Sequence, residues 1–199
     1  MSFPATYFDD LYQQADDPWH YRNRWYERRK RLLTIAALPR ERYRHGFEPA
    51  CSNGELSALL AGRCETLRVC DISEQAVRLA GERLADTPNV TVEQRSVPRD
   101  WPRERFDLIV IGELAYYLSR EATAELAQRA SESLTPDGTL LACHWRHPFE
   151  GKLQSADDVH AAFDALPGMT RLVRHDERDM LLDVWSKDGR SVAQHEGLA

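Results

Sequence analysis

Residues 43–60 carry the feature that most limits what this chain can fold into. A β-prone run, Tyr43 to Phe47, ends in the carboxylate Glu48 and passes through Pro49-Ala50-Cys51-Ser52-Asn53-Gly54. It then opens into a helix-like segment, Glu55-Leu56-Ser57-Ala58-Leu59-Leu60. The pattern predicts strand, tight turn and helix. Small residues in such a turn let a ligand approach the backbone, and the free N–H groups of the helix start favour polar or anionic groups. Seventeen residues beyond Gly54, a second apolar run, Leu67-Arg68-Val69-Cys70, ends in Asp71. A carboxylate at the tip of the neighbouring strand is the usual grip on a ribose diol, so the pair predicts a nucleoside-binding site. A dinucleotide site would want Gly-x-Gly-x-x-Gly, whereas Ala50, Ser52 and Gly54 stand at the nearest positions. One glycine disfavours close pyrophosphate approach; a nucleoside with an amino-acid tail demands less. A plain βαβ turn with no ligand is the competing expectation, since lone glycine turns are common.

With 199 residues, the chain is expected to form one domain with a substantial core. No apolar run approaches the roughly 18–20 residues of a membrane helix, and Met1-Ser2-Phe3-Pro4-Ala5 lacks the basic-then-apolar pattern of a secretory signal. Cys51, Cys64, Cys70 and Cys143 have no tight spacing and read as buried thiols of a reducing compartment, which predicts a soluble, cytoplasmic protein. A net charge of −6 argues against a general binder of phosphate backbones.

Residues 1–40 are expected to form an N-terminal helical cap, 41–186 a Rossmann-like core and 187–199 a frayed tail. Tyr7, Phe8, Tyr12, Trp19 and Tyr21 suggest a segment packed over the core edge or a ligand. A helix is predicted over 22–38, with Trp25, Arg29, Leu32, Leu33 and Ala36 on its inner face and Glu27, Lys30 and Arg31 elsewhere. Arg29 inside that apolar stripe either snorkels to water or pairs with a ligand carboxylate. The basic cluster Arg22, Arg24, Arg28, Lys30 and Arg31 reads as a solvated face rather than an RNA-contact patch. Downstream, strands are expected at Val90 to Gln94, Phe106 to Ile111 and Thr139 to Cys143, the middle one apolar enough for burial on both faces. Met169 to His175 and Met180 to Ser186 complete the set. The expected fold is α/β: a doubly wound, seven-stranded, mostly parallel sheet with one antiparallel strand. Ligands bind such sheets beyond the strands' carboxyl ends, where Glu48, Asp71, Ser96, Gly112-Glu113 and His144 all fall.

Those strand ends resemble class I S-adenosylmethionine-dependent methyltransferases over residues 20–186. Glu48-Pro49-Ala50-Cys51-x-x-Gly54, Gly112-Glu113-Leu114-Ala115-Tyr116-Tyr117-Leu118, and Asp17-Pro18-Trp19 followed by Trp25-Tyr26-Glu27 are most similar to nodulation-protein S-like N-methyltransferases. Those enzymes methylate a glucosamine-type amine on a lipo-chitooligosaccharide. Two departures stand out: Ala50 replaces the first loop glycine, and Ser96 replaces the adenine-side aspartate.

The resemblance implies S-adenosyl-L-methionine as cofactor and a small-molecule methyl acceptor, with an amine favoured. Asp71 would then hold the ribose hydroxyls, Ile72 and Val97 would sandwich adenine, and Ser96 would meet its amino group. Gly54 would admit the backbone; Glu48, Ala50, Cys51 and Gly112 would complete the cofactor wall; Trp19, Tyr26 and Arg29 would close over the methionine end. Glu113 is the first candidate for a base or amine anchor, with a plain helix-start carboxylate as the equal alternative. Tyr116 and His144 are acceptor-side candidates. His144-x-x-His147 beside Cys143 hints at metal, but no third ligand is evident and none is expected. An NAD-type oxidoreductase, a cofactor-binding domain without turnover and an RNA methyltransferase remain open alternatives. Oligomeric state is left open.

Overall fold

Four strands with polar C-terminal ends lie side by side because their central residues have nowhere to be but inside. In the computed structural model, which describes residues 3–199, seven strands form one sheet in the order β3-β2-β1-β4-β5-β7-β6. They are β1 (Tyr43–Pro49), β2 (Cys64–Asp71), β3 (Val90–Gln94), β4 (Phe106–Gly112), β5 (Leu134–Trp145), β6 (Thr170–Asp176) and β7 (Met180–Ser186). The first five pair in parallel, while β7 runs antiparallel to both β5 and β6. Met1 and Ser2, where the N-terminal reading begins, lie outside the described residues. Among the described residues no helix is long and apolar enough to cross a membrane.

Strand β4 is the axis of the core. Successive side chains of a strand point to opposite faces, and Leu108 and Val110 enter one apolar cluster while Ile109 and Ile111 enter the other. On the first face, α3 (Glu55–Ala61) and α4 (Glu74–Arg83) supply Leu60 and Ala80; on the second, α5 (Arg120–Ser133) and α6 (Ala156–Asp164) supply Leu126 and Phe163. Asp107 is buried at the start of β4, and its carboxylate accepts from the N–H groups of Arg44 and His45 at 2.9 and 2.8 Å. A buried carboxylate thus replaces ladder partners where β1 and β4 diverge. The chain order reverses between β1 and β4, the switch point at which a doubly wound sheet opens a crevice.

Two N-terminal helices, α1 (Ala5–Gln14) and α2 (Trp25–Ala37), cover that crevice. Helix α1 lays Tyr12 against α4, with Ala76 and Leu79. Helix α2 sits the other way round from its expected wheel: Glu27, Lys30, Arg31 and Thr34 are buried, while Trp25 and Leu32 are 63% and 56% exposed. The wheel was read on the premise that the inner surface is apolar, but α2 faces a polar cavity. The solvated-face expectation therefore holds for Arg22, Arg24 and Arg28 and is corrected for Lys30 and Arg31. At the other end, residues 187–199 include one helical turn, α7 (Val192–His195), capped by Ser191 and without a buried side chain.

Gly54 precedes α3 at φ +79°, and a Cβ there would lie 3.2 Å from the Ala80 Cα on α4. Its lack of a side chain permits the close packing of α3 on α4, and it is not among the cavity-lining residues. Gly54→Ala is expected to lower unfolding free energy by about 2 kcal/mol from left-handed strain and crowding, measured by urea denaturation.

Candidate functional site

Strand tips from β1, β2 and β4 meet α1, α2 and the turn before α3 around one cavity of about 910 Å³, counting its open mouth. Glu48, Ala50, Cys51, Asp71, Ile72, Gly112 and Glu113 all line it, as does Trp19 on the capping segment.

Asp71 is fixed before any ligand arrives. Its Oδ1 accepts from Ser73 N–H and its Oδ2 from Ser52 N–H, both at 3.0 Å. A carboxylate has about four lone-pair sites, so acceptor capacity remains on this cavity-lining group. Burial raises its pKa, and the backbone donors oppose that shift. The turn that supplies Ser52 N–H holds Ala50 at φ +58° and Ser52 at φ +52°. Both keep the left-handed backbone that glycine adopts freely. A 2.6 Å hydrogen bond between the Tyr12 hydroxyl and Ser52 Oγ ties the turn to α1, and Asn53 Nδ2 donates to Asp17 Oδ1 at 3.1 Å. Asn53 Oδ1 is buried on the cavity wall without a partner among the described residues.

Glu48 sits deeper, 3% exposed, and accepts a 2.6 Å hydrogen bond from the Ser57 hydroxyl. Burial without a cation beside it pushes its carboxyl up to about 8. A wall that holds a neutral carboxyl, a free-faced carboxylate and an unpaired amide oxygen suits a ligand rich in N–H and O–H donors.

The polar face of α2 forms the opposite wall. Lys30 Nζ lies 2.8 Å from Glu27 and 2.9 Å from Glu113, with the Tyr21 and Tyr26 rings at 5.5 and 5.3 Å. Burial alone would lower the Lys30 pKa, but the Glu113 and Glu27 carboxylates hold it above its usual value. Glu113, at φ +54°, also accepts from the Tyr116 hydroxyl and from Trp145 N–H at 3.2 Å. Arg31 lies against Glu55, 4.0 Å away, and donates to the Tyr21 carbonyl at 2.7 Å.

Several expected positions are corrected. Arg29 leaves the cavity for a two-pronged pair with Glu177 at 2.7 Å; Arg31, two residues on, faces the ligand side. Tyr26 packs edge-on against Trp145 behind Lys30 and is not part of the lining. Tyr116 is buried behind Glu113, and the wall position belongs to Tyr117. His144 is fully buried: it accepts from Ala115 N–H at 3.3 Å through Nε2, so its Nδ1 carries the proton toward His160, 3.0 Å away. His160 in turn meets Asp183 at 2.7 Å. Burial lowers the His144 pKa, so its neutral ring supports the β4 loop from within the core and is not in contact with ligand. His147 pairs with Asp179 at the surface. Ser96 lies outside the main cavity in a shallow recess with Ile72, Gln94 and Asp100, and Val97 packs on the core beside it. Glu27, Lys30 and Arg31 were expected off the inner face, Tyr12 only within a segment packed over the core edge or a ligand, and Asn53 had no individual role; the spacing of Glu27, Lys30, Arg31 and Thr34 as one helix face was the available signal.

A seven-stranded sheet of this order, with its cavity at the β1/β4 switch and an acid at the tip of β2, is the Rossmann-like fold of S-adenosylmethionine-dependent methyltransferases. A Pseudomonas syringae protein whose crystal structure bears the provisional description of a methyltransferase is 55% identical, over 82% of this chain and 99% of that one, with a TM-score of 0.74. The N-methyltransferase NodS of Bradyrhizobium japonicum, solved with S-adenosylhomocysteine, is 22% identical over 92% of this chain and 98% of that one; at a TM-score of 0.80 it shares the fold. Nodulation protein S of Rhizobium tropici is 30% identical over 132 residues, and that of Bradyrhizobium diazoefficiens 31% over 133. The matched stretches cover 64% of this chain but 54% and 62% of those relatives' lengths. The profile of the family described as Nodulation protein S (NodS) matches residues 9–163. The chain belongs to that family.

Glu48 gives the fold a pH dependence. Its folded pKa of about 8 exceeds the ordinary 4.5, so the stability it contributes is fully present below the lower value and is lost as pH rises to the higher one. Raising pH from about 5.5 to 8.5 is expected to lower the wild-type Tm by several degrees more than that of Glu48→Gln, measured by differential scanning calorimetry on the ligand-free protein.

Proposed function

We propose that this chain is an S-adenosylmethionine-dependent methyltransferase acting on the nitrogen of a small-molecule amine. The observation that carries the reading is Asp71: a buried carboxylate at a strand tip, held by two backbone N–H groups and lining the cavity. Such a group accepts both hydroxyls of a ribose. The family membership and the Pseudomonas relative support the reaction class, and the description of the Bradyrhizobium protein as an N-methyltransferase supports nitrogen as the target. Four free, buried thiols support a cytoplasmic location.

In this reading the adenine end occupies the side of Ile72, which borders both the main cavity and the recess holding Ser96. Glu48 meets the amino group of the methionine portion, and Arg31 serves its carboxylate in place of Arg29. Trp19, Tyr12 and Phe8 close the mouth and exclude water. The bound cofactor supplies a methyl group on a positively charged sulfur. The protein's task is then to align donor and acceptor and keep the acceptor nitrogen unprotonated. Glu113 holds the far wall through Lys30.

Calorimetric titration with S-adenosylhomocysteine tests the reading. Micromolar binding is expected for wild type, weakened by about 1.5–3 kcal/mol in Asp71→Ala through loss of charge-assisted hydrogen bonds. Equal affinity in both proteins would remove the ribose assignment, and tighter binding of NAD would replace the reaction class.

A further inference from the structure

Two carboxylates on the cavity wall depend on one cation. Glu27 and Glu113 both line the cavity and share a single ammonium, Lys30. Of the neighbouring cations, Lys152 Nζ is committed, donating to the carbonyl oxygens of Trp145, Arg146 and His147 at 2.9, 3.0 and 3.1 Å. Arg31 donates to the Tyr21 carbonyl and lies 4.0 Å from Glu55. The Glu27 and Lys30 side chains are 10% and 9% exposed, and Glu27 Oε2, although 2.8 Å from Lys30 Nζ, is buried without a hydrogen-bond partner among the described residues. A buried carboxylate oxygen calls for a donor, and an ammonium brought by a ligand would supply it.

The two carboxylates are not equivalent. Glu113 is bound by Lys30, the Tyr116 hydroxyl and Trp145 N–H, which spend its acceptor capacity and tie it to the core. Glu27 has Lys30 as its one ion-pair partner among the described residues. It also sits on a helix that reaches the cavity from outside the sheet.

We propose that Glu27 is the acceptor-side catalytic residue, receiving a primary or secondary amine as its ammonium and taking its proton. The inference rests on the methyl-transfer reading above. Burial raises the Glu27 pKa despite Lys30, which favours proton uptake. The ammonium N–H bond breaks as its proton passes to a Glu27 oxygen. The freed lone pair forms the new N–C bond while the methyl carbon–sulfur bond breaks and its electron pair stays on sulfur. The N-methylammonium product leaves and Glu27 returns its proton to water. An acceptor carboxylate or phosphate would place further negative charge beside two carboxylates that share one ammonium and is selected against.

Sinefungin, the donor analogue that carries a primary amine on carbon in place of the methylated sulfur, puts an ammonium at the acceptor boundary without turnover. Calorimetry would compare sinefungin, S-adenosylmethionine and S-adenosylhomocysteine on wild type, Glu27→Gln, Glu27→Asp and Glu113→Gln. Wild type is expected to prefer sinefungin to S-adenosylhomocysteine by about tenfold, as one charge-assisted hydrogen bond provides. In Glu27→Gln that preference is expected to fall to within about twofold while S-adenosylhomocysteine affinity holds; Glu27→Asp keeps part of it. A preference unchanged in Glu27→Gln, or lost in Glu113→Gln instead, would overturn the assignment. An equal loss of preference for S-adenosylmethionine would also overturn it, since Glu27 would then serve the sulfonium charge. Failure of wild type to bind S-adenosylhomocysteine would fall on the donor reading itself.

Discussion

The bond between Lys30 and the Glu113 carboxylate is the contact on which the site depends. It joins the capping helix α2 to the loop after β4, the two walls between which the cavity lies. Both groups are largely out of water, and Lys30 is the cation that Glu113 shares with Glu27, so removing Lys30 would leave two carboxylates uncompensated, at a cost of about 3–5 kcal/mol. The surrounding structure reflects that demand. The Tyr116 hydroxyl and Trp145 N–H back the carboxylate, two tyrosine rings flank the ammonium, and the His144–His160–Asp183 chain holds the backbone two residues beyond Glu113.

The core of the fold was legible because its physics is local and repetitive. A continuous apolar run must be buried on both faces, which identified β4 before any contact was known. The carboxylates at the ends of β1 and β2 were readable for the same reason, since a charged residue directly after a buried strand marks where the sheet meets solvent or ligand. What could not be read was the identity of the surface opposite each helix. The periodicity of α2 was visible, but periodicity says which residues share a face and not which face turns inward. Apolar residues turn inward only when what they meet is apolar. Here the polar stripe met the cavity, so the assignment of Arg29, Lys30 and Arg31 was reversed.

Side-chain direction set the other limit. His144 follows the apolar run of β5 as a ligand-facing residue would, yet β5 continues through it and the ring turns into the core toward His160, sixteen residues away. Tyr116 and Tyr117 divide similarly, one backing Glu113 and the other facing the cavity. Neighbouring positions on a turn point apart, and sequence alone does not tell which is which. Gly54 resembled a ligand-facing glycine but is required by the close approach of α3 to α4.

The turn after β1 keeps a glycine-like course through alanine and serine. An L side chain in that course resists it, so the shape is imposed by its surroundings: Asp71 pulling on one amide and Tyr12 on one hydroxyl. Glycines would let the segment wander when the cavity is empty and pay an ordering entropy upon each capture. By giving up local comfort, the protein keeps this wall of the cavity cast in advance, and whatever enters meets a mould instead of having to make one.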